Sequence, residues 1–269
     1  MRRIHLVLLA LTAAALPLSA RASQVDVLPV AVEHGPRTDR RVALTFDACT
    51  TRDPSPYDPR VTAVLERMHV PATLFVGGGW AEEEAAQLAE LARDPLFEIG
   101  NHTFTHPHLT RISDVQIRNE LLRTQAAIAS RTGHVPTLFR PSYGEYDGRV
   151  LRIASAAGLT TIEYDLPSGD PDAHVTRQAL VDWVLREARP GSIIVMHVNH
   201  RRFHTWEALP QIVDGLRARG FELVKVSELL RLPQASAPIA SAVAPSLVRA
   251  PVQTRAHKPA RAEKPISGV

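Results

Sequence analysis

The stretch Arg41-Val42-Ala43-Leu44-Thr45-Phe46-Asp47-Ala48-Cys49-Thr50 is a short apolar run that ends in a carboxylate rather than in glycines. A run of this length and composition reads as a buried strand. Six similar runs follow, at residues 72–76, 97–99, 137–139, 160–164, 192–196 and 221–226. Between them, 59–69, 81–93, 113–131, 148–157, 176–188 and 205–219 place apolar residues at helical spacing, as Ile117, Leu121, Leu122 and Ile128 do. Ser113 with Gln116 three residues on predicts a capping box, and Gly133, Gly158 and Gly220 stand where helices would stop. Strand-helix alternation implies a parallel sheet covered by helices, either doubly wound or closed into a barrel. A nucleotide-binding open sheet carries a Gly-rich phosphate loop after its first strand, and Asp47-Ala48-Cys49-Thr50 stands there instead. The expectation is an α/β fold: an incomplete (β/α) barrel of about seven parallel strands with outer helices. Its chemistry belongs at the carboxyl ends of the strands.

Outside this body the composition changes. Met1-Arg2-Arg3 is basic, an apolar run follows from Ile4 to Leu18, and Ala20-Arg21-Ala22 is a small-x-small site. That pattern predicts a signal peptide over residues 1–22. Its apolar run is shorter than the roughly 20 residues a membrane span needs. The expected location is therefore periplasmic or secreted, with no stable membrane insertion after cleavage. Residues 23–40 read as an extended lead-in, 41–230 as one domain, and 231–269 as a disordered, basic, Ala/Pro-rich tail. The formal charge of +3 sits at the ends: residues 1–22 hold three arginines and no acid, and 231–269 hold six Lys or Arg against Glu263. The body is mildly acidic, so the basic pI is no argument for nucleic-acid binding, and no nucleic-acid partner is expected. Cys49 is the only cysteine, so there is no disulfide within the chain. A monomer is expected.

The polar residues just past each strand suit one another. They are Asp47 and Cys49 after the first, His102 and His106 after the third, and Arg140 and Tyr143 after the fourth. Asp165 and Asp170 follow the fifth, and His197 and Asn199 the sixth. Charged groups at the ends of apolar runs are costly unless they pair or bind something. His102 and His106 have the spacing of two side chains on one face of a helical turn, from which two imidazoles can chelate zinc. Trp183, Trp206 and Tyr146 are candidate sugar-stacking platforms, although the helical pattern around Trp183 favours core packing there, and the basic run 199–204 is expected to border the substrate groove.

Thr45-Phe46-Asp47, His102-Thr103-Phe104-Thr105-His106, Arg140-Pro141-Ser142-Tyr143-Gly144, Asp170 and Ile194-Val195-Met196-His197 together resemble the NodB-homology polysaccharide deacetylases, carbohydrate esterase family 4. The likeness covers about residues 41–230. It implies a distorted (β/α) barrel and metal-dependent removal of N-acetyl, or O-acetyl, groups from an acetylated glycan. By that likeness His102 and His106 hold a divalent ion, usually zinc. Asp47 is the general base, and His197 is the general acid, oriented by Asp170. Arg140 keeps Asp47 ionised, the backbone N–H of Tyr143 helps hold the oxyanion, and Asn199 belongs to the substrate side.

One departure stands out. The family usually has a second aspartate directly after the first, as the third metal ligand, and here that position is Ala48. Asp47, Cys49 or solvent is then left to complete the metal shell. Ala48 motivates one rival, a catalytically silent carbohydrate-binding protein; a second, a hydrolase of a non-peptide amide in a small molecule, follows because barrel relatives can change substrate through their loops.

Overall fold

The apolar run that opens on Arg41 becomes strand β1 (Arg41–Ala48), buried along all but its first residue. The computed structural model describes residues 29–51 and 56–232. The predicted signal segment and all but the first two residues of the predicted tail lie outside the described residues.

After β1 come helix α1 (Pro59–Arg67), β2 (Ala72–Val76), α2 (Gly78–Glu83), α3 (Ala85–Leu91) and β3 (Phe97–Asn101). Then follow α4 (Asp114–Thr132), β4 (Leu138–Phe139), α5 (Gly148–Ala156), β5 (Thr160–Thr161) and β6 (Leu166–Pro167). The described chain ends with α6 (Arg177–Glu187), β7 (Ile193–His197), α7 (Thr205–Ala218), β8 (Glu222–Leu223) and α8 (Val226–Leu230). Several expectations are corrected. The helix predicted over 81–93 begins at Gly78 and is interrupted at Glu84. The strands predicted over 160–164 and over 221–226 are each only two residues long, the second because Val226 turns into α8. β6 had no periodic signal, because two residues are too few to show one. The Ser113–Gln116 capping box forms, and Gly133 closes α4 in the left-handed conformation at φ 77°.

All strand pairs are parallel, in the order β5-β4-β3-β2-β1-β7-β6, with β8 pairing the first two residues of β1. The two ends of that path, β5 and β6, are consecutive in sequence. From Thr161 to Leu166 the chain reaches at most about 18 Å. A flat sheet of seven strands is about 29 Å across from first to last. The connection therefore forces the sheet to curl into an open half-barrel. The lead-in straps the seam: the Val32 N–H donates to the Thr161 carbonyl (2.9 Å), Glu163 N–H donates to the Val32 carbonyl (2.8 Å), and Gly35 N–H donates to the Gly191 carbonyl (2.8 Å). These bonds satisfy edge groups that would otherwise be left open to pairing.

Strand alternation sorts the side chains. On β1, Val42, Leu44, Phe46 and Ala48 join the apolar layer under the helices, with Leu74, Val76, Ile194 and Met196. Ala43 joins the inner cluster with Phe75, Ile162 and Ile193. Thr45 and Asp47 share that inward parity. Among the described residues no helix is long and apolar enough to cross a membrane.

Candidate active site

Asp47 at the end of β1 is 5% exposed and faces Arg140, which is fully buried. Arg140 Nη1 donates to Asp47 Oδ1 and to Thr45 Oγ1, both at 2.8 Å, and Nη2 donates to the Glu163 carbonyl at 3.2 Å. Burial pushes the Asp47 carboxyl up, but Arg140, His102 and His197 outweigh it and hold the group below the ordinary carboxylate value. Glu163, buried beside them with Oε1 unpartnered, lacks so close a cation, and burial raises it to about 7.

His102 and His106 do not lie on a helical turn. The segment after β3 is a loop with positive φ at Thr103 (62°) and His106 (57°). Its shape is imposed from outside. Asn101 Oδ1 accepts the Thr103 N–H at 3.0 Å, and Glu120 on α4 accepts the N–H groups of Phe104 and Thr105 at 2.7 Å and the Thr105 hydroxyl at 2.8 Å. Below it, Gly78 and Gly79 donate to the Thr103 and Phe104 carbonyls at 2.8 and 3.0 Å. A Cβ at Gly78 would sit 2.2 Å from the Phe104 ring, so only glycine admits this approach. The result still brings the imidazoles together, with ring centroids 5.0 Å apart. Glu120 and the Gly77–Gly79 run were missed by sequence reading; the glycine triplet was the available signal. Replacing Glu120 by Ala removes three hydrogen bonds from a strained loop and is expected to cost about 1–3 kcal/mol, measured by urea denaturation. A change under about 0.5 kcal/mol would remove Glu120 from this role.

The His102 Nδ1 lies 2.9 Å from the Arg140 carbonyl, which can only accept, so Nδ1 carries the hydrogen and Nε2 presents its lone pair to the cavity. Cys49 Sγ is 3.5 Å from that Nε2. Ligand atoms of Cys49, His102 and His106 all lie within 4.8 Å of one another. A thiolate and two imidazoles are a donor set that suits zinc. Asp47 Oδ2 approaches His102 Nε2 at 3.7 Å. Burial pushes the Cys49 thiol up, but the surrounding imidazoles bring it well below its usual range. Burial works against a charged His102, while Asp47 and Cys49 raise it above the ordinary imidazole value.

His197 is the register partner of Asp47 on the adjacent strand. Its Nδ1 is 3.0 Å from Asp170 Oδ1, and its backbone N–H donates to Oδ2 at 2.8 Å. Ser168 and Thr205 hydroxyls donate to the same carboxylate at 2.9 and 2.7 Å. Burial opposes the charged imidazole, yet Asp170 outweighs it and lifts His197 well above the ordinary value. Asp165, the other candidate, instead holds Arg37, Ser192 and the Ile193 N–H at the strand's start.

Asp47, Cys49, His102, His106, Asp170 and His197 line one cavity of about 1140 Å³, with Tyr143 exposed at its edge and stacked on His108 at 4.2 Å. Asn199 is a correction: it is fully buried, outside the cavity lining, and its Nδ2 donates to the Cys49 carbonyl at 2.7 Å. It positions that loop. The stacking platforms are also corrected. Trp183 bonds the Pro167 carbonyl, Trp206 packs on the core under Arg60, and Tyr146 sits in the cluster beneath α5; none lines the cavity. His200 and Phe203 of the basic run do line it.

Residues 34–162 match the polysaccharide deacetylase family model. A chitooligosaccharide deacetylase of Rhizobium leguminosarum bv. trifolii is 31% identical over 198 residues, 69% of this chain and 89% of the relative. The chain belongs to the polysaccharide deacetylase family. Peptidoglycan-N-acetylglucosamine deacetylase PgdA of Listeria monocytogenes shares 32% identity over 193 residues, 72% of this chain. The chain spans only 39% of that relative's length. Among solved structures of carbohydrate esterase family 4, a pseudoenzyme from Bacillus anthracis has a TM-score of 0.69 at 28% identity, covering 76% of this chain and 70% of its own. The matched family segment holds Asp47, Cys49, His102, His106, Arg140 and Tyr143; Asp170 and His197 follow it.

Proposed function

We propose that this chain is an exported, metal-dependent hydrolase that removes N-acetyl groups from an amino-sugar glycan of a cell wall or extracellular matrix. What supports the reading most is the convergence of Asp47, His102, His106 and His197, from three separate strands, on one cavity. His102 and His106 would hold a divalent ion, zinc by donor chemistry, which when bound polarises the acetyl carbonyl and acidifies water. Asp47, ionised beside Arg140, takes the proton of the attacking water. His197, protonated through Asp170, gives a proton to the departing amine, which leaves poorly as an anion. The backbone N–H of Tyr143 helps to stabilise the oxyanion. The named relatives act on peptidoglycan N-acetylglucosamine and on chitooligosaccharides. The cavity of about 1140 Å³ exceeds a drug-sized pocket and has room for more than one sugar ring.

The rival reading, a silent glycan-binding protein, draws on Ala48 and on the likeness to a pseudoenzyme. Acetate release decides between them. Purified protein is expected to liberate acetate from N-acetylated chitooligosaccharides or peptidoglycan, and His102→Ala to lose at least about 1000-fold of that rate while keeping its circular dichroism. No acetate from any acetylated glycan, with glycan binding retained, would select the rival.

A pH profile gives a second test. Activity needs Asp47 ionised, and its pKa is lowered; it also needs His197 protonated, and its pKa is raised. The profile is therefore a broad plateau across neutral pH. Asp170→Asn removes the charge that holds the proton on His197, so the alkaline limb moves to lower pH. The loss of kcat/KM is expected to be larger at about pH 8 than at about pH 6. An unmoved alkaline limb would deny His197 the role of acid.

A further inference from the structure

We infer that Cys49 is the third protein ligand of the metal, bound as a thiolate one residue past the position at which the family resemblance would put a carboxylate. The inference rests on the metal-dependent reading above and adds what that reading leaves open.

Strand parity is the first reason. Ala48 is fully buried in the apolar layer under the helices with Leu44 and Phe46, so that position does not face the cavity. Cys49 resumes the inward parity of Thr45 and Asp47 and lines the cavity. Distance is the second. Zinc bonds of about 2.3 Å to sulfur and 2.0–2.1 Å to nitrogen, at tetrahedral angles, set sulfur and nitrogen about 3.6 Å apart. Cys49 Sγ and His102 Nε2 are separated by 3.5 Å. The lone pair of that nitrogen is aimed at the sulfur, because the Arg140 carbonyl fixes the hydrogen on Nδ1. Two electron-rich atoms facing each other so closely call for a proton or a cation between them.

The backbone around Cys49 is held from both sides. Gly77 N–H donates to the Ala48 carbonyl at 2.9 Å, and Asn199 Nδ2 to the Cys49 carbonyl at 2.7 Å. These bonds satisfy backbone carbonyls and fix where the Cys49 side chain leaves the strand end. Asp47 is the alternative donor, but its Oδ1 is engaged by Arg140 and its Oδ2 stands 3.7 Å from His102. With the thiolate as ligand, Asp47 remains free to act as base. A ligand set of one thiolate and two imidazoles favours zinc and cobalt over magnesium and manganese, which prefer oxygen donors.

The test is cobalt titration of the metal-free full chain, followed by absorbance. Thiolate ligation adds an intense near-ultraviolet charge-transfer band to the weak visible bands of tetrahedral cobalt. Cys49 is the only cysteine, so no other residue can supply that band. The expected result is saturation near one equivalent with both sets of bands. Cys49→Ser should lose the near-ultraviolet band and weaken zinc binding by more than about 100-fold, beyond what loss of an outer partner of a ligand costs. If Cys49→Ser does not fold, the wild-type spectrum decides alone. Visible bands without the ultraviolet band, or unchanged zinc affinity in folded Cys49→Ser, would overturn the thiolate ligand and leave the deacetylase reading standing. A folded chain that binds neither cobalt nor zinc would overturn both.

Discussion

Replacing Asp47 by Asn is expected to lower the rate of acetate release by about 100- to 10,000-fold, the range a single general base commands. The amide is nearly the same size and can still accept from Arg140 at the Oδ1 position, so the fold should persist. What it cannot do is take a proton from water. The substitution also separates the two roles that sequence left open for Asp47. As base with Cys49 as ligand, the variant loses rate and keeps its zinc. As ligand, it loses both. Acetate release and bound zinc measured on the same sample tell the cases apart, and a loss under about 10-fold would place the base elsewhere.

The largest expected effect on stability is at Arg140. This side chain is fully buried, bonded to Asp47 and Thr45, with its guanidinium over the Phe75 ring at 4.1 Å. Arg140→Met leaves a buried carboxylate without its partner, which costs about 3–5 kcal/mol. Asp47→Asn/Arg140→Met should recover part of that loss, because contacting partners do not contribute additively. The pH dependence has a definite sign. The folded-state pKa of Asp47 is lowered, so the stabilisation is present above the unfolded carboxyl value near 3.9 and is lost as pH falls through the lower folded value. The gap between wild type and Arg140→Met, measured by urea denaturation, should therefore be widest at neutral pH and shrink in acid. A constant gap would mean that Arg140 acts through packing alone.

Much of the barrel was legible in the sequence because each long strand is buried on both faces and so reads as an apolar run, β1 above all. The two-residue strand β6 escaped, and β8 was read too long, because pairing, not composition, defines such short strands. Asp47, His102, His106, Arg140, Asp170 and His197 were legible for a related reason: charged or ligating side chains at the ends of apolar runs need partners, and their order matches a family.

What the sequence by itself determined is local: which segments are buried and which residues carry chemistry. The sequence left Asp47, Cys49 or solvent to complete the metal shell, because 53 residues separate Cys49 from His102 and nothing along the chain records their distance. Glu120 looked like any helix-surface acid, and Asn199 looked like a rim residue. Only the curl of the sheet sets their neighbours: it brings Cys49 Sγ within 3.5 Å of His102 Nε2, Glu120 against the loop after β3, and Asn199 under the Cys49 carbonyl. Hydrogen-bond partners and ligand distances depend on that closure, and residue type along a single strand carries no record of it.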